Sequence, residues 1–174
     1  MPLPPSNDER SKLYLDFIRK VSPEADPTSI MLFVEILRAN HRLVQSAEKQ
    51  LETTGLSWAK FRLLSDLLRS ELRGMTEGVQ PSELSEMEGI SRNTISALIA
   101  GLEEDGLISR ELHSTDRRKF VIRLTPKGRR VLESKVDGEL RFVTSRFDVL
   151  NAGERETLLS FLTRLNTSLS EKTK

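Results

Sequence analysis

The sequence predicts a mainly helical fold with one small β-hairpin, and three observations support this prediction. Apolar side chains recur at spacings of three and four residues in several long segments, which is typical of amphipathic helices. Serine, threonine and asparagine stand where several of these segments begin, and glycine where some end, as helix caps do. Only residues 107–124 contain two short runs that suit strands, with a polar, charged connector between them.

The N-terminal third contains two predicted helices. Residues 1–8 are proline-rich and polar, and we expect them to form a tail. A short amphipathic helix follows over 8–21, and a Ser-Pro and an Asp-Pro pair then interrupt the helical pattern. A long helix is predicted over 28–52, and Ser57 has the position of the N-cap of a third helix.

The rest of the chain begins with a glycine-containing linker over 71–80, followed by two short helices. Residues 81–87 form the first of them, with proline at its opening position. Gly89 ends it, and Ser91 caps the second, which runs over 92–105. The remaining predicted elements are strands at 107–112 and 119–124, a helix over 126–150, and a last helix that begins at the capping box of Asn151 and Glu154.

Composition excludes several classes of protein. Because there is no cysteine, disulfides, thiolate zinc sites and thiol-based redox sensing are excluded. The two histidines, His41 and His113, are too few and too far apart for a zinc cluster, so we expect no metal and no cofactor. The first residues lack the apolar segment of a signal peptide, and no apolar run approaches the roughly 20 residues of a membrane span. We therefore expect a cytoplasmic protein with no membrane partner.

Charge is distributed unevenly along the chain, although its net value is only +1. Residues 110–130 contain eight lysines and arginines against two acids, and acidic residues concentrate before this stretch. Four of these charges stand at the predicted hairpin tip, in the order Asp116, Arg117, Arg118, Lys119. The carboxylate of Asp116 is placed to hold one guanidinium, and a bidentate pair fits the spacing. An arginine presented in this way suits a narrow minor groove of DNA, although a tip of this kind is a solvated charge run in most proteins.

The helix predicted over 92–105 combines two faces. Its leading residues are small or polar, which lets a helix lie deep in a major groove about 12 Å wide, with arginine and asparagine donating to base edges. These residues are Ser91, Arg92, Asn93, Thr94, Ser96 and Ala97. The opposite face is apolar and would pack against the neighbouring helix and strand. Two short helices, a glycine turn and a basic hairpin together predict a winged helix-turn-helix.

These motifs resemble the MarR family of bacterial winged-helix regulators, most specifically at Asp116-Arg117-Arg118, Leu124-Thr125 and Gly128. The resemblance implies a homodimer that binds double-stranded DNA at a pseudo-palindromic operator, usually as a repressor. It also implies that Ser91 to Ala97 lie in the major groove, that Arg117 or Arg118 lies at the minor groove, and that Ser82 lies near phosphate. The chain departs from the usual pattern at Ala97, where members often carry a longer polar residue.

The same resemblance divides the chain into four parts: a tail and extra helix at 1–27, a first dimerisation helix at 28–56, a winged helix-turn-helix lobe at 57–125, and C-terminal dimerisation helices at 126–174. The helix at 8–21 is not part of the usual family core. Its apolar face either embraces the partner subunit or packs on its own chain.

The resemblance further implies release from DNA by a small, often aromatic or anionic, effector bound between the dimer helices and the reading lobe. Trp58, Phe61 and Arg62 could line such a pocket, but core packing is the favoured explanation of the two aromatic residues. His41 is either a pocket residue or a surface or interface histidine.

Two other functions remain to be separated from DNA binding. A winged-helix module can use the same helices to bind protein, which would require an apolar or acidic exposed face at 91–97; this face is polar and small instead. An enzyme is disfavoured, because the sequence contains no recognisable nucleophile–base pair, metal cluster or glycine-rich phosphate loop.

Overall fold

A computed structural model describes residues 9–52, 55–113, 116 and 118–172, and its contacts divide the chain into two compact units, Met1–Gly55 and Leu56–Lys174. The described residues form seven helices and one two-stranded antiparallel hairpin. The mainly helical fold with a hairpin wing is therefore confirmed. The predicted tail at 1–8 lies outside the described residues.

The first unit consists of helix α1 (Glu9–Val21) and helix α2 (Pro27–Leu51). Asp26 caps α2 by accepting the backbone N–H of Thr28 at 3.1 Å and that of Ser29 at 2.9 Å. The Ser29 hydroxyl also donates a hydrogen bond to Asp26. This bond lowers the pKa of the Asp26 carboxyl most strongly, and the two backbone bonds lower it further. Both helices keep large apolar side chains exposed in the single chain: Leu13, Phe17, Val21, Leu32, Phe33, Ile36, Leu37 and Leu43.

The second unit begins with the winged lobe. Its elements are α3 (Trp58–Leu72), α4 (Pro81–Glu88), α5 (Arg92–Glu104), β1 (Ile108–Leu112) and β2 (Phe120–Leu124). The caps predicted from sequence are present, because the Ser57 and Ser91 side chains accept backbone N–H groups of the turns that they precede. The lobe's fully buried side chains form one core: Leu63, Leu64, Leu67, Val79, Leu84, Ile95, Leu102 and Ile122.

The hairpin also pairs with a segment outside its two strands, and the sequence did not predict this pairing. Val79, within the segment assigned to a linker, exchanges two backbone hydrogen bonds with Ile122 of β2, at 3.0 and 2.8 Å. Gly78 has φ +95°, and a Cβ there would lie 3.0 Å from the Ile122 carbonyl oxygen. The segment therefore needs glycine to bring Val79 against the wing.

Helix α6 (Pro126–Ser145) begins where the wing ends. A Cβ at Gly128 would lie 1.9 Å from the carbonyl oxygen of Leu107, so only glycine allows this close approach. Two further bonds hold the same junction: the Thr125 hydroxyl donates to the Gly106 carbonyl at 2.8 Å, and Lys127 Nζ donates to the Asp105 carbonyl at 2.7 Å.

The prediction that this helix continues to about residue 150 was wrong. After Ser145 the backbone forms successive i to i+3 turns, with Arg146 N bonded to Val143 O and Leu150 N to Phe147 O. Apolar residues in these turns extended the helical pattern of the sequence beyond the helix itself. Helix α7 (Ala152–Lys172) then starts at the predicted capping box, because Asn151 Oδ1 accepts the Glu154 N–H at 3.0 Å and Glu154 Oε2 accepts that of Asn151 at 2.8 Å.

Candidate nucleic-acid interface and effector cavity

Helix α5 separates an apolar face from a polar one, as the sequence predicted. Ile95, Ile99 and Leu102 are buried, whereas Leu98 is half-buried. The candidate DNA-reading residues are all exposed: Ser91, Arg92, Asn93, Thr94, Ser96 and Ala97. The buried face fixes the helix on the lobe, and the exposed face is therefore held in a defined orientation.

Three hydroxyl groups of this exposed face are already engaged locally. Ser91 Oγ accepts the Thr94 N–H at 3.2 Å and lies 2.8 Å from the Thr94 hydroxyl. Ser96 donates its hydroxyl hydrogen to the Arg92 carbonyl at 2.8 Å. Ser96 is consequently positioned to accept from a ligand, and Arg92 and Asn93 are the long polar side chains of the face. Ser82, in the first turn of α4, is half-buried.

The wing tip is organised by Asp116. Its Oδ1 atom accepts both the backbone N–H and the Nε–H of Arg118, each at 3.2 Å. One oxygen takes both bonds, so Asp116 and Arg118 do not form a bidentate carboxylate–guanidinium pair. These bonds lower the pKa of Asp116, the backbone bond contributing most. Arg117 lies outside the described residues.

Several cations of the basic stretch have partners within the protein, which the sequence could not show. The Arg110 guanidinium lies 4.6 Å from the centre of the Phe120 ring, and Arg123 Nε lies 3.3 Å from Glu111 Oε2. Arg129 pairs with Glu71 of α3. At the tip, in contrast, the Arg118 side chain is 92% exposed and Lys119 is exposed. The tip therefore presents exposed cations, although Asp116 offsets part of the charge of Arg118 and Arg110 is also exposed.

A cavity of about 320 Å³ lies between α3 and α6, within the second unit. Its walls are mostly apolar, and the Trp58 and Phe61 rings stack with centres 5.7 Å apart. The lining residues are Trp58, Phe61, Arg62, Ser65, Leu68, Arg69, Leu72, Leu132, Val136, Glu139, Leu140 and Val143. The three second-unit residues predicted for an effector pocket thus meet in one cavity, with Phe61 buried at the same time. His41 is exposed on α2, in the first unit, and its role in a pocket stays a prediction.

Sequence reasoning missed Glu139, the charged residue of α6 in this cavity. The residue is buried, with 5% of its surface exposed, and its Oε2 atom has no hydrogen-bond partner among the described residues. Burial raises the pKa of this carboxyl. The signal was present, because Leu132, Val136, Leu140 and Val143 form an apolar stripe in which Glu139 is the only acid.

Comparison with known proteins agrees with these features. The family model described as "MarR family" matches residues 54–119, which include α3, α4, α5 and the first strand of the wing. The transcriptional repressor YetL of Bacillus subtilis is 28% identical over 83% of this chain and 84% of its own length.

Residues 54–119 therefore match the MarR family, and the chain as a whole is similar to a named transcriptional repressor.

Solved MarR-type structures share the fold. The MepR–DNA complex of S. aureus superposes with a TM-score of 0.70 at 22% identity, covering 76% of this chain and 94% of MepR. BpsR of Bordetella bronchiseptica, whose DNA binding is regulated by 6-hydroxynicotinic acid, has a TM-score of 0.67 at 25% identity, covering 75% and 89%. Among the described residues, no cluster of three or more acids and histidines is placed to hold a metal, and no helix is long and apolar enough to cross a bilayer.

Proposed function

We propose that this chain is a cytoplasmic transcription regulator of the MarR family, a repressor that binds double-stranded DNA as a homodimer at a pseudo-palindromic operator and is released by a small-molecule effector. The observation that carries the proposal is the two-faced helix α5 beside a wing with an exposed basic tip. A polar, small-residue face on a helix fixed by its buried side is what major-groove recognition requires. The family's members named as repressors, such as YetL, support the direction of regulation.

The homodimer is supported by helix α7. Along residues 152–171, only Leu162 is as much as half-buried in the single chain, although large apolar side chains recur along the helix. The exposed ones are Leu158, Leu159, Phe161, Leu165 and Leu169. Surfaces of this kind are covered by association in stable proteins, and a second copy provides a matching surface by symmetry.

The decisive experiment is a DNA-binding measurement on the full chain. Sites should first be selected from random duplex DNA, and the selected site and an unrelated duplex then titrated in gel-shift assays at two salt concentrations. We expect a two-fold symmetric site, tighter binding to it than to the unrelated duplex, and weaker binding at higher salt. No enrichment of any sequence, with binding to a protein partner instead, would favour the interaction-module alternative.

Truncation tests the dimer independently. Removing residues 153–174 should give aggregated or unfolded chain, because the dimer contact would be lost while apolar side chains of the remaining helices stay exposed. Light scattering and circular dichroism measure both outcomes. A well-folded monomer after this truncation would contradict the homodimer.

A further inference from the structure

The charged residues of the α3–α6 cavity are not equivalent. Arg62 pairs with Glu88 at 2.6 Å, and the Glu88 side chain is only 5% exposed. Arg69 pairs with Asp66, whose side chain is 3% exposed. Each arginine is therefore the counter-charge of a buried carboxylate, and drawing it toward a bound anion would leave that carboxylate unpaired.

Glu139 is the opposite case. Its carboxyl is buried against the same apolar walls, and its Oε2 atom lacks a donor among the described residues. A buried acceptor without a donor is unfavourable, and a ligand that brings a donor removes that penalty. An anionic ligand would add like-charge repulsion instead.

The apolar walls of the cavity indicate the chemistry of the rest of the ligand. Trp58 and Phe61 present a stacked aromatic pair, and leucine and valine side chains of α3 and α6 complete an apolar lining. Such walls favour a flat or bulky hydrocarbon body, and aromatic faces also attract a nearby cation.

We propose that this cavity binds a lipophilic aromatic amine and that the Glu139 carboxylate accepts a hydrogen bond from its ammonium group. This assignment names the chemical class of the effector, and only its consequence for DNA binding rests on the proposed function. It keeps the aromatic character expected from the sequence and replaces the expected anionic group with a cationic one.

The binding test uses three compounds with one body: para-tert-butylbenzylamine, the corresponding alcohol and the corresponding carboxylate. Trp58 is the only tryptophan of the chain and lines the cavity, so its fluorescence reports occupancy, with calorimetry as a second measurement. We expect the amine to bind about tenfold or more tightly than the alcohol, as a charge-assisted hydrogen bond allows, and the carboxylate to bind most weakly. An amine that binds no more tightly than the alcohol, or not at all, would overturn the proposal.

Two variants test whether the preference for the amine over the alcohol depends on Glu139. Glu139→Gln keeps the side-chain volume and removes the charge, so the amine should fall to the affinity of the alcohol while the alcohol is nearly unaffected. Glu133→Gln is the matched control, because Glu133 is on the same helix, has a 55% exposed side chain and does not line the cavity. This control should retain the full preference for the amine. A preference that survives Glu139→Gln, in a variant whose circular dichroism is native, would also overturn the proposal.

A DNA-binding measurement distinguishes a failure of this site from a failure of the proposed function. With a selected operator, the amine should weaken binding by the wild-type chain and leave the Glu139→Gln variant unaffected. Amine binding through Glu139 with unchanged operator affinity would confirm the site and contradict its regulatory role. Absence of any DNA binding would contradict the proposed function, while the fluorescence result would still decide the amine site.

Discussion

Helix α5 and the wing tip both present cations or polar groups to the outside, but they are built in different ways. The reading face of α5 is carried by a 13-residue helix whose opposite side is buried in the lobe core. The wing tip is held by a few hydrogen bonds around Asp116, and its Arg118 side chain is almost fully exposed. A buried support gives fixed direction, which base recognition needs, whereas an exposed arginine supplies charge and adapts to groove shape. The predictions below test this division of roles, in which α5 recognises bases and the wing tip supplies charge.

The largest effect is expected from removing the wing arginines. Changing Arg117 and Arg118 to alanine should weaken binding to operator and unrelated DNA alike, by about 60-fold at 0.1 M salt if both contact phosphate, and should reduce the salt slope by up to about 1.8. Titrations of both DNAs at several salt concentrations measure this. The control is the pair Arg19→Ala and Arg141→Ala, which removes the same charge from exposed helix positions. If only operator binding falls, the wing reads sequence and the division is wrong.

Asn93→Ala should weaken binding to the operator but hardly change binding to unrelated DNA. Losing a base-edge contact should cost roughly 1–3 kcal/mol on the operator, little on unrelated DNA, and leave the salt slope nearly unchanged. The same titrations provide the measurement. Equal losses on both DNAs would mean that another face of α5 enters the groove.

Ser91→Ala should affect both stability and DNA binding. The Ser91 side chain caps α5, and its loss should lower the free energy of unfolding by about 1 kcal/mol in chemical denaturation. Operator affinity should fall by more than this instability explains, since the helix N-terminus would also approach phosphate. Ser134→Ala is the control, because Ser134 is exposed on α6 and its hydroxyl bonds the Val131 carbonyl within the helix rather than capping it. Unchanged affinity with lowered stability would make Ser91 purely structural.

Asp116→Ala should give the smallest change in DNA binding. It frees the Arg118 guanidinium without removing its charge, so affinity for both DNAs should fall by less than in the double arginine variant. The lowered pKa of Asp116 means that its carboxylate persists below the usual range for aspartate, so the wild-type wing should keep its affinity at mildly acidic pH. A loss as large as that of the arginine variant would show that orientation, rather than charge, governs the wing.

The sequence predicted elements with local signals well. The caps at Ser57, Ser91 and Asn151 and the apolar stripe of α5 are properties of a few neighbouring residues, and all are present in the structure. The assignment of residues to DNA contact stays a prediction.

What the sequence could not predict depends on partners distant in the chain. The bridge between Val79 and Ile122 joins segments more than 40 residues apart, and the pairing of Arg129 with Glu71 likewise requires the tertiary fold. Glu139 was overlooked because a single acid in an apolar stripe resembles an ordinary solvated position until the opposite helix is in place. The end of α6 at Ser145 was missed because the following turns are as apolar as the helix.

The glycine at position 128 has a mechanical consequence. Its contact with Leu107, and the bonds of Thr125 and Lys127 to residues 105–107, fix the first turn of α6 to the base of the wing and the end of α5. Glu139 lies 13 residues beyond Pro126, about 20 Å along the helix axis. The anchored end of this helix therefore lies beside both candidate DNA-reading elements, and Glu139 lies farther along the helix. At that length, a displacement of about 1 Å at Glu139 would correspond to a rotation of the rigid helix by roughly 3° about its first turn.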